Sequence, residues 1–221
     1  NSALMRLADS AEPKQAKAYL KRVIENTEGG LAEAAKGKLK NMEALGQPVK
    51  ISFEAVDGRK VNVAKLKGKV VLIDFWATWC GPCVAELPNV KKTYTKYHKK
   101  GFEIVGISLD SNKDKLANFV EENDIPWAQH FDGKGWKNRF AKEFGIQGIP
   151  AMWLIDKKGN PTIKVKWCTC CPLAALEFLW SYPGPQRCYP KWLKSGTFKK
   201  QNEGNVVQLA LQWMMAQGVT E

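Results

Sequence analysis

The feature that most constrains this chain is a pair of cysteines two residues apart, Cys80 and Cys83, in the stretch FWATWCGPCVAEL at residues 75–87. A continuous apolar run, VVLIDFWA at residues 70–77, leads into the pair and predicts a central strand buried on both faces. A helix is predicted directly after it, from about residue 83 to residue 98. Cysteines at such a strand-to-helix junction can form a metal site, a structural disulfide or a redox centre.

The surrounding residues favour a redox centre. A zinc site needs a second pair of ligands at matching spacing, and His98 and His130 are the only histidines, so we expect no metal site. A disulfide across so short a loop constrains the unfolded chain little, so stabilisation is a weak reason for it. A cysteine at the start of a helix faces the positive end of the helix dipole, which lowers its pKa from about 8.5. Cys80 is the predicted thiolate, and Cys83 the resolving thiol.

The middle of the chain alternates between strand and helix patterns. The predicted elements are a hairpin from Ile51 with its turn at Asp57-Gly58, a strand at 102–110, a helix at 113–122, a short segment around Trp127, a helix at 136–144, a strand at 151–159 and a last strand at 161–167. Alternating strands and helices that end in a hairpin predict an α/β fold, with a central mixed β-sheet flanked by helices. We place this domain at residues 48–166.

The first 47 residues predict a helical hairpin. Apolar residues recur at helical spacing over residues 10–27, with Ser10 as a candidate N-cap. A second helical pattern runs from Leu31 to Leu45 and ends at Gly46, a candidate C-terminal cap. The segment has no cysteine, histidine or glycine-rich loop, so we interpret residues 1–47 as a packing or spacer element rather than a catalytic one.

Two motifs resemble those of a known superfamily. FWATWCGPC, together with GIPAMWLIDKKG at residues 148–159, resembles the thioredoxin superfamily. LKGKVVLIDFWATWCGPCVAELP, at residues 66–88, is similar to the TlpA/ResA-like thiol-disulfide oxidoreductases of the redoxin family, a branch that includes the cytochrome c maturation reductases. The resemblance covers residues 48–166 and implies a thioredoxin-like fold. It also implies that a redox-active Cys80–Cys83 disulfide carries the chemistry, with no metal or organic cofactor.

The resemblance assigns roles to two acidic residues. Asp74 matches the family's buried acid, and its apolar neighbours on the strand predict a raised pKa and a role in accepting the proton of Cys83. Glu86 matches an acidic residue of the cytochrome c maturation branch. A second interpretation of Glu86, as a first-turn helix glutamate that the dipole favours, stays open at this point.

The resemblance also implies a substrate surface. Ile149-Pro150 matches the family's cis-proline, which lies next to the redox pair and helps present backbone to an extended substrate, although an ordinary turn proline would look the same in sequence. Trp79 is expected to shield the pair and shape this surface. Gly81 and Pro82, between the cysteines, resemble the dipeptide of reducing thioredoxins and favour a reductase over an oxidase.

The implied reaction is thiol–disulfide exchange with protein disulfides, with a thiol reductant as electron donor. Two alternative functions have less support in the sequence. A peroxiredoxin-like peroxidase would need a Pro-x-x-x-Thr-x-x-Cys loop, yet Thr78 lies only two positions before Cys80 and position 74 holds no proline. A non-catalytic thioredoxin-fold binding module is disfavoured because both cysteines and Pro150 are present.

Charge and hydropathy bear on partners and location. The net charge is +12, from 34 Lys and Arg against 22 Asp and Glu, but the lysines are scattered, so we expect a solvated basic surface and no nucleic-acid partner. No apolar run of eighteen residues is present, so no membrane-spanning helix is expected. The resemblance favours an extracytoplasmic (periplasmic or membrane-associated) location, with membrane association through a segment that precedes Asn1 as one option. The oligomeric state is not predicted.

The C-terminal part, residues 167–221, departs from the family's pattern. It holds the other four cysteines, Cys168, Cys170, Cys171 and Cys188, at a spacing that fits no metal motif. NVVQLALQWMMAQ, at residues 205–217, predicts a late helix. We expect an atypical extension without functional residues.

Overall fold

The computed structural model describes residues 1–44, 47–166 and 175–177. Their helices are α1 (Ser2–Ser10), α2 (Pro13–Glu25), α3 (Gly30–Ala44), α4 (Gly81–Tyr97), α5 (Lys113–Glu122) and α6 (Arg139–Glu143). Their strands are β1 (Ser52–Glu54), β2 (Lys60–Asn62), β3 (Val70–Trp76), β4 (Phe102–Ser108), β5 (Ala128–His130), β6 (Ala151–Ile155), β7 (Pro161–Lys166) and β8 (Ala175–Glu177). The predicted cap at Gly46, the late helix at 205–217 and the four C-terminal cysteines lie outside the described residues.

A mixed sheet forms the centre of the fold, in the order β5-β4-β3-β6-β7-β8. Strands β3, β4 and β5 run parallel, whereas β6, β7 and β8 continue the sheet in antiparallel fashion. This confirms the predicted fold class of a central mixed sheet flanked by helices. The sequence-based expectation that the sheet ends with the strand at 161–167 was wrong, because residues 175–177 add β8 along β7.

Strand β3 is the core of the sheet and leads to the cysteines. All seven of its residues are buried, as its unbroken apolar run predicts for a strand with neighbours on both sides. Phe144, which directly follows α6, packs against two aromatic side chains of the sheet. Its ring centroid lies 5.5 Å from that of Phe75 on β3 and 5.3 Å from that of Trp153 on β6. Burying side chains of this size stabilises the fold by roughly 1.5–3 kcal/mol each.

The N-terminal residues form three helices, not two. Helix α1 was not predicted, and Ser10, the expected N-cap of the next helix, is instead the last residue of α1. Its hydroxyl donates back to the carbonyl of Leu7, while α2 starts at Pro13, whose fixed φ and missing N–H suit the first turn of a helix. A small apolar cluster of Leu20, Val23 and Ala35 holds the helices together. The predicted domain boundaries at 47 and 166 stay a prediction.

Two helix boundaries near the cysteines differ from expectation. Helix α4 begins at Gly81, two residues earlier than predicted, because Pro82 is accepted in the first turn and Cys80 serves as the N-cap. Helix α6 is limited to Arg139–Glu143, and Trp136 lies in a separate turn, Gly135–Lys137. None of the described helices is long and apolar enough to cross a membrane.

Candidate active site

Cys80 and Cys83 are joined as a disulfide at the N terminus of α4, with an S–S distance of 2.05 Å. The Sγ of Cys80 caps the helix by accepting a hydrogen bond from the backbone N–H of Cys83 at 3.3 Å. The two residues are 5% and 7% exposed, so exposure does not distinguish a nucleophile from a shielded partner. The hydrogen bond does distinguish them, because a helix N–H that already points at Sγ of Cys80 would stabilise a thiolate there after reduction.

The first turn of α4 is open to solvent around the disulfide. Gly81 and Pro82 are exposed, and a Cβ built on Gly81 would meet nothing within 4 Å. Trp79, directly before Cys80, is 50% exposed. A substrate can therefore approach the pair over Trp79 and the Gly-Pro turn.

The peptide bond between Ile149 and Pro150 is cis. Pro150 is buried and Ile149 is half-buried against the core. Strand β6 starts directly afterwards, at Ala151, which lies opposite Phe75 of β3 in an antiparallel pair. The cis bond therefore lies at the end of the sheet at which β3 finishes and the segment towards Cys80 begins.

Asp74 is a buried acid in the middle of this arrangement. It lies on β3 opposite Gly106 of β4 and Met152 of β6, and it is 7% exposed. Its Oδ1 has no hydrogen-bond partner among the described residues. Burial, and to a smaller extent the negative charge of Glu86, raises the pKa of Asp74 to about 7.

Glu86 is a second buried acid, 2% exposed. Its Oε2 accepts a hydrogen bond from Nδ2 of Asn89 at 3.0 Å, whereas its Oε1 has no partner among the described residues. Burial raises the pKa of Glu86 to about 7, even though the hydrogen bond from Asn89 partly opposes the rise. The interpretation of Glu86 as a first-turn glutamate is wrong, because α4 starts at Gly81 and Glu86 lies in its second turn.

Sequence reasoning missed a polar cluster that fixes the segment between β3 and Cys80. The carboxylate of Asp110, 2% exposed, accepts hydrogen bonds from the backbone N–H of Thr78 at 3.0 Å and from its hydroxyl at 2.7 Å. The Ser108 hydroxyl also donates to Asp110, at 2.8 Å. The signal in the sequence was the pair of polar residues, Ser108 and Asp110, at the end of the strand predicted at 102–110.

The second missed residue is Trp136. Its ring centroid lies 6.1 Å from that of Trp79, and the residue is 49% exposed, so two large aromatic side chains stand together at the surface next to the disulfide. Two residues after Trp136, Asn138 is fully buried. Its Nδ2 donates to the Ser108 carbonyl, and its Oδ1 caps α6 by accepting from the N–H of Phe140. The two tryptophans are 57 positions apart, and no motif in the sequence links them.

Other titratable residues do not join the cysteines in a cluster. Among the described residues, no group of three or more His, Cys, Asp or Glu side chains is arranged to hold a metal ion. His130 is packed between Phe53 and Phe140, and burial lowers its pKa to about 4. His98 contacts the carbonyl of Phe102. Both histidines are accounted for by the packing of the fold.

Comparison with known proteins gives a family match. The redoxin family model matches residues 40–167. A thiol-disulfide oxidoreductase ResA of Bacillus thuringiensis subsp. konkukian is 34% identical over 111 residues, which are 50% of this chain and 62% of the relative. The ResA of Oceanobacillus iheyensis is 42% identical over 108 residues, 48% of this chain and 54% of the relative. The chain thus spans about three-fifths or less of the length of these relatives.

Solved structures agree with this match. A putative thiol:disulfide interchange protein DsbE from Chlorobium tepidum is 29% identical with a TM-score of 0.50, over 55% of this chain and 83% of that one. The thioredoxin domain of a thiol-disulfide oxidoreductase from Bacteroides vulgatus is 32% identical with a TM-score of 0.50, over 55% and 87%. These findings confirm the TlpA/ResA-like resemblance and the thioredoxin-like fold. Since the family model covers more than half of the chain, the chain belongs to the redoxin family, within the thioredoxin superfamily.

Proposed function

We propose that this protein is a thiol-disulfide oxidoreductase that reduces protein disulfides through Cys80 and Cys83. The observation that carries the proposal is the position of Cys80: its Sγ caps α4 and accepts the N–H of Cys83, at the end of a fully buried strand. This is the environment in which a thiolate is stabilised at neutral pH. The similarity to proteins named thiol-disulfide oxidoreductase supports the same activity.

The reaction has two exchange steps. In the first, the Cys80 thiolate attacks one sulfur of the substrate disulfide; a Cys80–substrate bond forms, the substrate's S–S bond breaks, and its second sulfur leaves as a thiolate that takes up a proton. In the second, Cys83 loses its proton and attacks Sγ of Cys80. The Cys80–Cys83 disulfide forms, the Cys80–substrate bond breaks, and the substrate sulfur leaves as a thiolate that takes up a proton. The substrate gains two electrons and two protons, and an external thiol reductant restores the dithiol.

The second step needs a proton acceptor for Cys83, and Asp74 and Glu86 suit this role. A carboxyl group whose pKa is raised to about 7 is partly ionised at neutral pH, so it can both accept and release a proton there. Glu86 lies three residues after Cys83 in α4, a spacing that places two side chains on one face of a helix.

The substrate surface surrounds the disulfide. Trp79, Gly81 and Pro82 flank the cysteines in the sequence, and Ile149-Pro150 directly precedes β6, whose first residue pairs with Phe75 near the end of β3. In this scheme the Cys80–Cys83 pair is itself the redox group, so no metal or organic cofactor takes part. The partners are protein disulfides and a thiol reductant, without nucleic acid.

We place the activity outside the cytoplasm, in the periplasm or at the membrane, with apocytochromes or other proteins that carry cysteine pairs as substrates. The resemblance to the cytochrome c maturation branch supports this location. Fractionation of the native host, with antibodies against this chain, tests it: recovery in the cytoplasmic fraction would contradict it.

Insulin reduction by dithiothreitol tests the activity itself. We expect the wild type to accelerate precipitation of the reduced insulin chains, and Cys80→Ser to fall to the rate of dithiothreitol alone. Because the described residues do not include the four C-terminal cysteines, the assay is repeated with all four changed to serine. Equal rates for the wild type and Cys80→Ser in both backgrounds would refute the proposal.

A further inference from the structure

Helix α3 is bonded to the loop that leads into the cis-proline. Nδ2 of Asn41 donates to the carbonyl of Gly145 at 2.6 Å and to that of Gly37, one turn earlier in α3, at 2.8 Å. Nε2 of Gln147 donates in the opposite direction, to the carbonyls of Glu33 at 3.1 Å and Ala34 at 3.0 Å. Two side-chain amides, one from each side, thus join the N-terminal helices to the loop between α6 and β6.

The contact is close enough to require glycine at position 145. Gly145 has a φ of +62°, and a Cβ built there would run into the carbonyl oxygen of Gly37. A Cβ on Gly37 would meet the side-chain amide of Gln147. Gly37 and Asn41 are both buried, the latter 8% exposed. Backbone therefore packs directly against backbone, and α3 constrains the path of the loop at this point.

The constrained loop is short. Gln147 is separated from the cis bond only by Gly148, and β6 begins directly after Pro150. A Cβ built on Gly148 would meet nothing within 4 Å, so Gly148 does not anchor the segment itself. The position of Ile149 then depends on two anchors: pairing of β6 with β3 after it, and the bonds of Gly145 and Gln147 to α3 before it.

We propose that α3 positions the Ile149–Pro150 segment for docking of an extended protein substrate, with Asn41 and Gln147 as positioning residues. The N-terminal helices are then part of the substrate-binding apparatus and not a spacer. This inference rests on the proposed function, because it concerns the surface against which the substrate of Cys80 lies. The reactivity of the cysteines does not depend on α3, because the hydrogen bond that caps Cys80 comes from α4 itself.

The separation of docking from chemistry yields a specific test. Gln147→Glu is nearly isosteric, but a carboxylate cannot donate to the carbonyls of Glu33 and Ala34, so both bonds are lost. Gln147 is exposed, so the new charge stays solvated. Asn41→Ala is the second variant and leaves the Gly145 carbonyl without its Asn41 bond. Lys36→Ala is the matched control, because Lys36 lies on the exposed face of α3 and pairs with Glu33 of the same helix.

Three measurements are made on the full chain: KM and kcat for insulin, the rate at which iodoacetamide alkylates reduced Cys80, and deuterium uptake over residues 145–151. For Gln147→Glu and Asn41→Ala we expect KM for insulin to rise roughly three- to tenfold, the factor that corresponds to the net contribution of a hydrogen bond. We expect kcat and the alkylation rate of Cys80 to stay within about twofold of the wild type, because these variants change substrate docking and not the reactivity of the thiolate. Deuterium uptake should rise in the loop, and Lys36→Ala should match the wild type throughout.

Two results would overturn the inference. The first is an unchanged KM together with unchanged deuterium uptake in Gln147→Glu. The second is a rise in KM accompanied by equal losses in kcat and in the alkylation rate, which would mean a general disturbance of the fold. If Asn41→Ala does not fold, Gln147→Glu decides. If the wild type does not reduce insulin, the proposed function fails separately. Deuterium uptake then still decides whether α3 holds the loop, since no rise in Gln147→Glu would overturn the positioning.

Discussion

Asp74 and Glu86 are two buried carboxyl groups that influence each other: the charge of Glu86 raises the pKa of Asp74, which burial has already raised. One acid lies on β3, six residues before Cys80, and the other lies in α4, three residues after Cys83. Each has one carboxyl oxygen without a hydrogen-bond partner among the described residues. A proton on either acid relieves the cost of a buried charge, so this pair favours holding a proton at neutral pH.

Asp74→Asn is expected to change how stability depends on pH. The native state holds the proton of Asp74 up to about pH 7, whereas the unfolded chain releases it near the ordinary value of 3.8. Between these values the native state binds more protons, so the free energy of unfolding falls as the pH rises, by up to a few kcal/mol on the order-of-magnitude scale of such shifts. Asn removes the part of this fall that comes from Asp74 and leaves the part that comes from Glu86, whose pKa is also raised to about 7. Urea unfolding at pH 4.5 and pH 8 measures it.

The control for that experiment is Asp114→Asn, which removes an exposed carboxylate from the first turn of α5. It should leave the pH dependence of the wild type unchanged. An Asp74→Asn variant whose stability falls with pH as steeply as that of the wild type would show that Asp74 is not the group with the raised pKa.

Glu86→Gln is expected to move the pH–rate profile of insulin reduction to lower pH. Loss of the Glu86 charge lowers the pKa of Asp74, so Asp74 becomes an ionised proton acceptor at a lower pH. The profile of kcat is the measurement, with Glu121→Gln, an exposed acid of α5, as the control. A profile that is unchanged, or one that moves to higher pH, would contradict the coupling of the two acids.

Much of this site could be predicted from sequence because it is local or carried by motifs. The apolar run of β3 and the cysteines after it specify a buried strand, a turn and a helix N terminus within fourteen residues. The pKa of Asp74 was also predictable in direction, because its strand neighbours are apolar and every residue of β3 is buried.

The parts that could not be predicted depend on contacts between distant segments. Trp136 meets Trp79 because Asn138 ties its turn to Ser108 of β4, a relationship set by tertiary packing. Helix α1 was missed because it is only nine residues long, although Leu4, Met5 and Ala8 recur at helical spacing and pack against the neighbouring helices. Strand β8 was missed because residues 167–221 follow no pattern of the family.

Trp136→Ala is expected to weaken reduction of protein substrates while reduction of a small disulfide is retained. Exposed aromatic side chains that anchor a partner cost about 1–2 kcal/mol or more when truncated, so kcat/KM for insulin should fall roughly five- to thirtyfold. The rate with oxidised glutathione should change less than about twofold, because so small a disulfide makes little use of such an anchor.

Leu7→Ala provides the matched control for Trp136→Ala. Leu7 is a large apolar residue of α1 with almost the same exposure, 48% against 49%. It should leave both rates unchanged, and Trp136→Phe should keep most of the activity with insulin. If Trp136→Ala slows insulin and glutathione equally, Trp136 supports the structure of the site and is not an anchor for the substrate.

Cys83→Ser is expected to trap the substrate on Cys80. The serine hydroxyl is far too weak an acid to displace a thiol at neutral pH, so the reaction stops after the first exchange step, with a Cys80–substrate disulfide. The variant is made in a background in which Cys168, Cys170, Cys171 and Cys188 are serine, so that adducts on the C-terminal cysteines do not obscure the result. Expressed in the native host, it should give conjugates on a non-reducing gel that dithiothreitol releases, and mass spectrometry then identifies the partner.

Cys80→Ser in the same background should give few or none, because Cys83 lacks the capping hydrogen bond that Sγ of Cys80 receives. Conjugates that form on Cys83 and not on Cys80 would reverse the assigned roles of nucleophile and resolving thiol.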